Sequence, residues 1–383
     1  MDQAVVVMQR IGNMIIHDIL NRSQRALFIL LKAGIWNRIP EKDFFLNFSE
    51  TDWKEVYRLA VKQGVMSLAY DAVMRLPEDL RPPRSLKLNW ALNVEAQEKR
   101  YAKQETVAIE LAEILSKGNI QMFLFKGLSL AQYYPIPSHR EFGDLDIYLL
   151  GKYNEGSELL LKQGLIKKHD DPKHTSLLYK GISIENHVSF LSLHRHPHLK
   201  NLDRKMIELS ELQSDKTFPN NILFPAPEFN ALHIMSHAIL HFPTSIVLRH
   251  LCDWAVFLEA NNGKIDFVNY KKALSEAGLL KAADAFTALA VRFLELNPEV
   301  APVFNSDSLL EDRILLDILN PLVLQKKNPS PLDIISIKYR ILKSRRWKFE
   351  LIKHNGYCKF IIYSIFLHIR YPELILRLKQ TEK

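Results

Sequence analysis

Phe125-Lys-Gly-Leu-Ser-Leu-Ala131 and, a few residues on, Arg140-Glu-Phe-Gly-Asp-Leu-Asp-Ile-Tyr-Leu149 decide how this 383-residue chain is read. From Asp144 to Leu150 polar and apolar residues alternate, which is the two-residue period of a strand. Residues i and i+2 of a strand share a face. Asp144 and Asp146 therefore project together, while Leu145, Ile147 and Leu149 face a core. Two carboxylates about 7 Å apart repel by on the order of 2 kcal/mol at an effective dielectric of about 20. A hard cation between them removes that cost, and Mg²⁺ takes one or two carboxylates plus substrate phosphates.

A third acid follows in Ile182-Ser-Ile-Glu-Asn-His-Val188. Alternation puts Ile182, Ile184 and Val188 on one face and Ser183, Glu185 and His187 on the other. If this strand lies beside Asp144–Leu150, Glu185 joins the two aspartates. Three carboxylates on adjacent strands can hold two Mg²⁺ ions for in-line displacement at a nucleotide phosphate.

Ahead of the aspartates, Met122–Phe125 is a short apolar run suited to a buried strand. It runs into Lys126-Gly127 and then a helix from Leu128. A glycine turn at a helix N-terminus presents backbone N–H groups to a triphosphate. Ser129 adds a hydroxyl, and Lys126 and Arg140 add positive charge.

These motifs together resemble the polymerase-β-like nucleotidyltransferase superfamily. They are most similar to the uncharacterised bacterial nucleotidyltransferase family that carries a Lys-Gly turn, an Arg shortly before Asp-x-Asp, and an acid-x-His strand. The matching residues are Lys126-Gly127, Arg140, Asp144-x-Asp146 and Glu185-x-His187. The likeness extends to Leu248-Arg249-His250-Leu251-Cys252-Asp253-Trp254. It implies that Asp144, Asp146 and Glu185 bind Mg²⁺ or Mn²⁺ and that Glu185 activates or orients the acceptor. It also implies that Lys126, Gly127, Ser129, Arg140 and His187 line the nucleotide.

The rest of the chain reads as helix around this core. Apolar spacing of three and four predicts helices over Ser23–Leu31 and Asp52–Tyr70, with Asp52 as N-cap of the second. A further helix runs from about Ser85 to Lys117, stopped by Gly118. Helical periodicity returns in Glu228–His241, Val247–Asn261 and Leu279–Leu296. The expectation is an α+β protein: an N-terminal helical region (1–104), a nucleotidyltransferase core (105–225), a helical region packing on it (226–300) and a basic C-terminal helical region (301–383).

Composition bounds the setting. Two cysteines without a partner motif exclude a disulfide scaffold and a cysteine zinc site, and suit a reducing compartment. No secretory-signal pattern opens the chain, and no apolar run reaches the roughly 18–20 residues that span a bilayer. The expected location is cytoplasmic. The formal charge of +8 is concentrated at the end, where Lys and Arg outnumber Asp and Glu by 14 to 4 from Lys326 onwards. Such a stretch is either a solvated helical face or a surface for a polyanion.

Two histidine clusters stay open. His233, His237 and His241 repeat every four residues, as a zinc pair needs, or form a polar stripe facing the sheet. His194, His196 and His198 alternate in a loop. Gly356–Arg370 reads as an amphipathic segment that packs on the domain or lies on a membrane surface. The expected activity is transfer of a nucleoside monophosphate from an NTP to an acceptor hydroxyl on a small molecule, a protein or an RNA, with a polyanionic acceptor favoured by the basic tail. The competing expectation is a nucleotide- or partner-binding module of the same fold without turnover.

Overall fold

The computed structural model describes residues 19–218, 222–244, 246–320 and 330–352, with isolated positions between 358 and 365. Among the described residues, four α-helices precede the sheet: α1 (Arg22–Ile35), α2 (Glu50–Lys62), α3 (Met66–Met74) and α4 (Arg84–Lys117). The expected helix over Asp52–Tyr70 is two helices. Gly64 takes a left-handed φ of +63° between them, so the chain turns where a single helix was read. The N-cap of α2 is Ser49, with Asp52 at the third helical position closing a capping box. α4 runs unbroken for 34 residues and stops before Gly118.

The α/β core follows as β1 (Phe123–Phe125), α5 (Gly127–Ala131), β2 (Asp144–Tyr148), α6 (Tyr153–Lys162), β3 (Ile166–Asp171), β4 (His174–Tyr179) and β5 (Ile182–His187). Then come α7 (Lys200–Ser210), β6 (Gln213–Phe218) and β7 (Ile222–Pro225). The seven strands form one mixed sheet in the order β3-β4-β5-β2-β1-β7-β6. Lys180 and Gly181 both have positive φ, which makes the tight turn joining β4 to β5.

Period-two alternation gives the sheet two different faces. Leu124, Leu145, Ile147, Leu177 and Ile184 are buried with Val107, Leu111 and Leu115 of α4 and Leu160 of α6. The opposite face carries Phe123, Phe125 and Tyr148, packed with Phe190 and Phe229 in a larger core. That core continues through the N-terminal helices and the helices after the sheet: α8 (Pro227–His241), α9 (Leu248–Ala260), α10 (Phe267–Glu276), α11 (Leu280–Leu294) and α12 (Ser308–Leu319). The protein is therefore α+β, a mixed sheet flanked by helices from both sides of it in sequence.

α13 (Pro331–Leu351) carries the first part of the basic stretch and docks through Trp347 on Phe242, ring centroids 5.4 Å apart. Most of Gly356–Arg370 lies outside the described residues. No described helix is long and apolar enough to cross a membrane.

Candidate active site

β2 and β5 are parallel neighbours, and their register sets Asp144 opposite Ser183, Asp146 opposite Glu185 and Tyr148 opposite His187. Residues of one parity share a face. Asp144, Asp146, Glu185 and His187 therefore stand on the sheet face that carries Phe125, itself opposite Asp146 on β1. The three acids and Lys126 line one cleft of about 280 Å³.

Asp146 is the buried centre. Its Oδ1 accepts from Lys126 Nζ at 2.5 Å and lies 2.9 Å from His187 Nε2. Burial opposes its ionisation, but the Lys126 ammonium and the His187 contact outweigh burial and hold the carboxyl far below the usual range. Burial and repulsion from Asp146 and Glu185 have the opposite result at Asp144, whose carboxyl is pushed up to about 7. Glu185 is buried enough to resist ionisation, yet the His187 contact and the Lys126 charge keep it ionised below its ordinary value. Three acids thus face one contacting lysine.

Lys126 reaches Asp146 through an uncommon backbone. Its φ of +58° is costly for a residue with a side chain, and such geometry persists where surrounding packing enforces it. Ser129 Oγ donates to the Lys126 carbonyl at 2.9 Å and tightens the turn from below; Ser129 is fully buried and has no surface in the cleft. Gly127 lines the cleft, and a side chain there would meet Phe142 and the Asp144 backbone. A Cβ there would sit 3.0 Å from Phe142 Cδ2 and 3.5 Å from the Asp144 carbonyl. The glycine is needed for the turn to seat against Phe142.

Arg140 lines the cleft wall with its guanidinium committed to protein. Nε and Nη2 donate to the two carboxylate oxygens of Asp253 at 2.7 and 2.8 Å, and Nη1 to the Gly127 carbonyl at 3.3 Å. Tyr134 donates its hydroxyl to the same carboxylate at 2.6 Å. Arg249, one turn before Asp253, donates to the Glu141 carbonyl at 2.6 Å rather than to Asp253.

The helix α8 forms the opposite wall. His233, His237 and His241, with His250 from α9, all face the cleft. His237 and His241 lie 4.3 Å apart by ring centroid, and His233 stacks on Phe229 at 5.6 Å. Burial pushes all four down, to about 3 at His241 and about 4 at His250, so this wall is of neutral imidazoles. His233 Nε2 and Arg249 Nε are buried without a hydrogen-bond partner.

Lys173, His174 and Arg195 complete the rim and were not singled out in the sequence. Burial and the nearby Lys126 charge bring the Lys173 ammonium down to about 8. His174 was findable, because a two-residue turn at 180–181 pairs His174 with His187 across β4 and β5. Lys173 and Arg195 lie in connecting segments, where no strand or helix period assigns a side chain to a face.

The chain belongs to the uncharacterised nucleotidyltransferase family, whose model matches residues 49–295. No curated protein and no solved structure matches the chain.

Proposed function

We propose that the protein transfers a nucleoside monophosphate from an NTP to an acceptor hydroxyl, with Mg²⁺ or Mn²⁺ held by Asp144, Asp146 and Glu185. The observation that supports this best is the register of Asp146 with Glu185 beside Asp144, which gathers three carboxylates on one floor. The donor set fits a hard cation: all three offer oxygen, and burial together with repulsion from Asp146 and Glu185 raises the Asp144 pKa more than the Lys126 charge lowers it. When bound, the ion supplies charge stabilisation to the triphosphate oxygens.

The chain's own groups supply the rest. The acceptor oxygen bonds to the α-phosphorus, the bond to pyrophosphate breaks, and the acceptor proton passes to the ionised Glu185. Lys126 holds Asp146 ionised until substrate arrives, and Lys173 and Arg195 place positive charge on the rim where phosphates enter. The neutral imidazole wall offers flat, uncharged surface for a base or acceptor. A polyanionic acceptor is favoured by the basic stretch after Lys326.

Incubation with each of the four NTPs labelled at the α-phosphate, with and without Mg²⁺ or Mn²⁺ and with fractionated RNA, protein and small molecules, tests the reading. Metal-dependent NTP binding and label on one acceptor class are expected. Absence of metal-dependent NTP binding sinks the proposal. Binding with no transfer to any fraction favours a nucleotide-binding module instead.

A further inference from the structure

His174 on β4 and His187 on β5 are directly opposed, and Glu185 stands two residues from His187 on the same face. Glu185 Oε2 lies 3.3 Å from His187 Nε2 and Oε1 lies 3.4 Å from His174 Nε2. The ligand atoms of all three fall within 4.8 Å of one another, the one such His/carboxylate group among the described residues. We propose that His174, Glu185 and His187 form a nitrogen-bearing site for a transition-metal ion such as Zn²⁺, Mn²⁺ or Co²⁺, joined to the oxygen-only ion site through the shared carboxylate of Glu185.

Three observations carry this. The first is spacing. Ligand atoms that share one ion at about 2.0–2.2 Å each must lie within about 4.4 Å of one another, so the two 3.3–3.4 Å contacts already fit. The second is the orientation of His187. Its Nδ1 faces the Ser189 carbonyl at 3.4 Å, a donor geometry typical of metal-bound histidines. Nε2 lies 2.9 Å from Asp146 Oδ1 and 3.3 Å from Glu185 Oε2, either as a proton donor to them or, with the proton on Nδ1, as a third acceptor beside them. Acceptors so disposed need a proton or a cation among them. The third is His174, whose Nε2 is turned toward Glu185 from the neighbouring strand. Its Nδ1 has no hydrogen-bond partner, so no bond opposes a ring adjustment toward an ion.

Imidazole nitrogen selects against Mg²⁺ and for the borderline first-row ions. The two sites would then differ in kind: oxygen donors from Asp144 and Asp146 on one side of Glu185, nitrogen donors on the other. The competing account is an ion network in which a protonated His187 and Lys126 alone balance the acids, and His174 is a bystander.

The full chain, stripped of metal and free of nucleotide, is titrated with Co²⁺ and separately with Mg²⁺. The wild type should show ligand-field absorption saturating with Co²⁺. His174→Asn should weaken Co²⁺ by at least about tenfold, the scale known for even outer-shell partners of metal sites. It should leave Mg²⁺ affinity nearly unchanged. No Co²⁺ absorption in the wild type, or equal Co²⁺ affinity in the variant, overturns the proposal. Spin-echo spectroscopy of Cu²⁺ bound to the wild-type protein gives an answer independent of any variant's folding. Two directly bound imidazoles are expected; one or none refutes the triad. Because metal alone is the probe, a protein that loads Co²⁺ here yet transfers no nucleotide leaves this site standing and sinks only the transferase reading.

Discussion

Arg140 clamps both carboxylate oxygens of Asp253, at 2.7 and 2.8 Å, with the pair almost fully buried. The pair ties the loop ahead of β2 to α9, so the strand that carries Asp144 and Asp146 is anchored to the helical half of the molecule. Removing one partner of a buried pair strands a charge and costs about 3–5 kcal/mol. Asp253→Asn should lower the urea midpoint accordingly, and Arg140→Met added to it should cost less than the sum of the two single changes. Strict additivity, or a shift below about 1 kcal/mol, would show that the clamp contributes little.

Much of this arrangement was legible in sequence and some was not. Asp144, Asp146 and Glu185 were readable because alternation and a short hairpin fix faces, and a face is what brings acids together. Leu145, Ile147 and Leu149 are buried as their parity requires. β3 escaped notice because its residues Ile-Lys-Lys-His-Asp-Asp are exposed and polar, which leaves no hydrophobic period to read. The partner of Arg140 was hidden for a different reason. Asp253 lies 113 residues further along the chain, and Tyr134 and Arg140 reach it from the segment between α5 and β2. Gly127 was read as a turn glycine ahead of a helix from Leu128; it opens α5 itself, the left-handed turn residue is Lys126, and the neighbour that crowds Gly127 is Phe142, whose position no local pattern gives.

The acids on β2 should separate stability from function. Asp144→Asn relieves the repulsion that raises its pKa, so thermal stability should stay equal or rise. Metal-dependent NTP binding should fall by at least about 10–100-fold, since loss of a ligand exceeds the loss of an outer-shell partner. Asp146→Asn should be worse for both, because it leaves Lys126 buried without its contact. Calorimetric melting and NTP titration on the same samples decide this. Full transfer activity in both variants removes the metal assignment.

His139 makes a pH-dependent tie between helices. Its Nδ1 lies 2.8 Å from Asp71 on α3 and its Nε2 2.9 Å from Glu98 on α4. Burial opposes the charged ring, but hydrogen bonds and charge from Asp71 and Glu98 outweigh it and raise the pKa above its ordinary value of 6.5. A raised histidine stabilises the fold fully below its unfolded value of about 6.5, and that contribution is lost as pH rises through the folded value. Melting temperature should therefore fall on going from pH 6 to alkaline pH. Glu98→Gln should flatten the slope. An unchanged slope in that variant would locate the pH dependence elsewhere.

The last test concerns Gly127, where the cradle expected from sequence and the packing seen in the structure lead to different results. A cradle requires that a side chain at 127 block the triphosphate while the protein folds normally. The geometry aims that side chain at Phe142, 3.0 Å from Cδ2 and 3.1 Å from Cε2, tighter than most methyl contacts, so the ring has to shift to admit it. Gly127→Ala should thus overpack the turn and cost about 1–3 kcal/mol of stability. Phe142→Leu removes the obstructing ring edge at its own cost, since Phe142 is buried beside Tyr101. Combined, the two changes should destabilise less than their sum, because each accommodates the other. Additive losses in urea melts would mean that Phe142 does not confine Gly127. NTP affinity measured on the folded double variant then decides the cradle: near-normal binding assigns Gly127 to packing, and a selective loss assigns it to the triphosphate. Ser129→Ala sharpens the reading. Its hydroxyl bonds the Lys126 carbonyl, so the expected loss is about 1 kcal/mol of stability, with NTP affinity falling only as far as the Lys126 turn loosens.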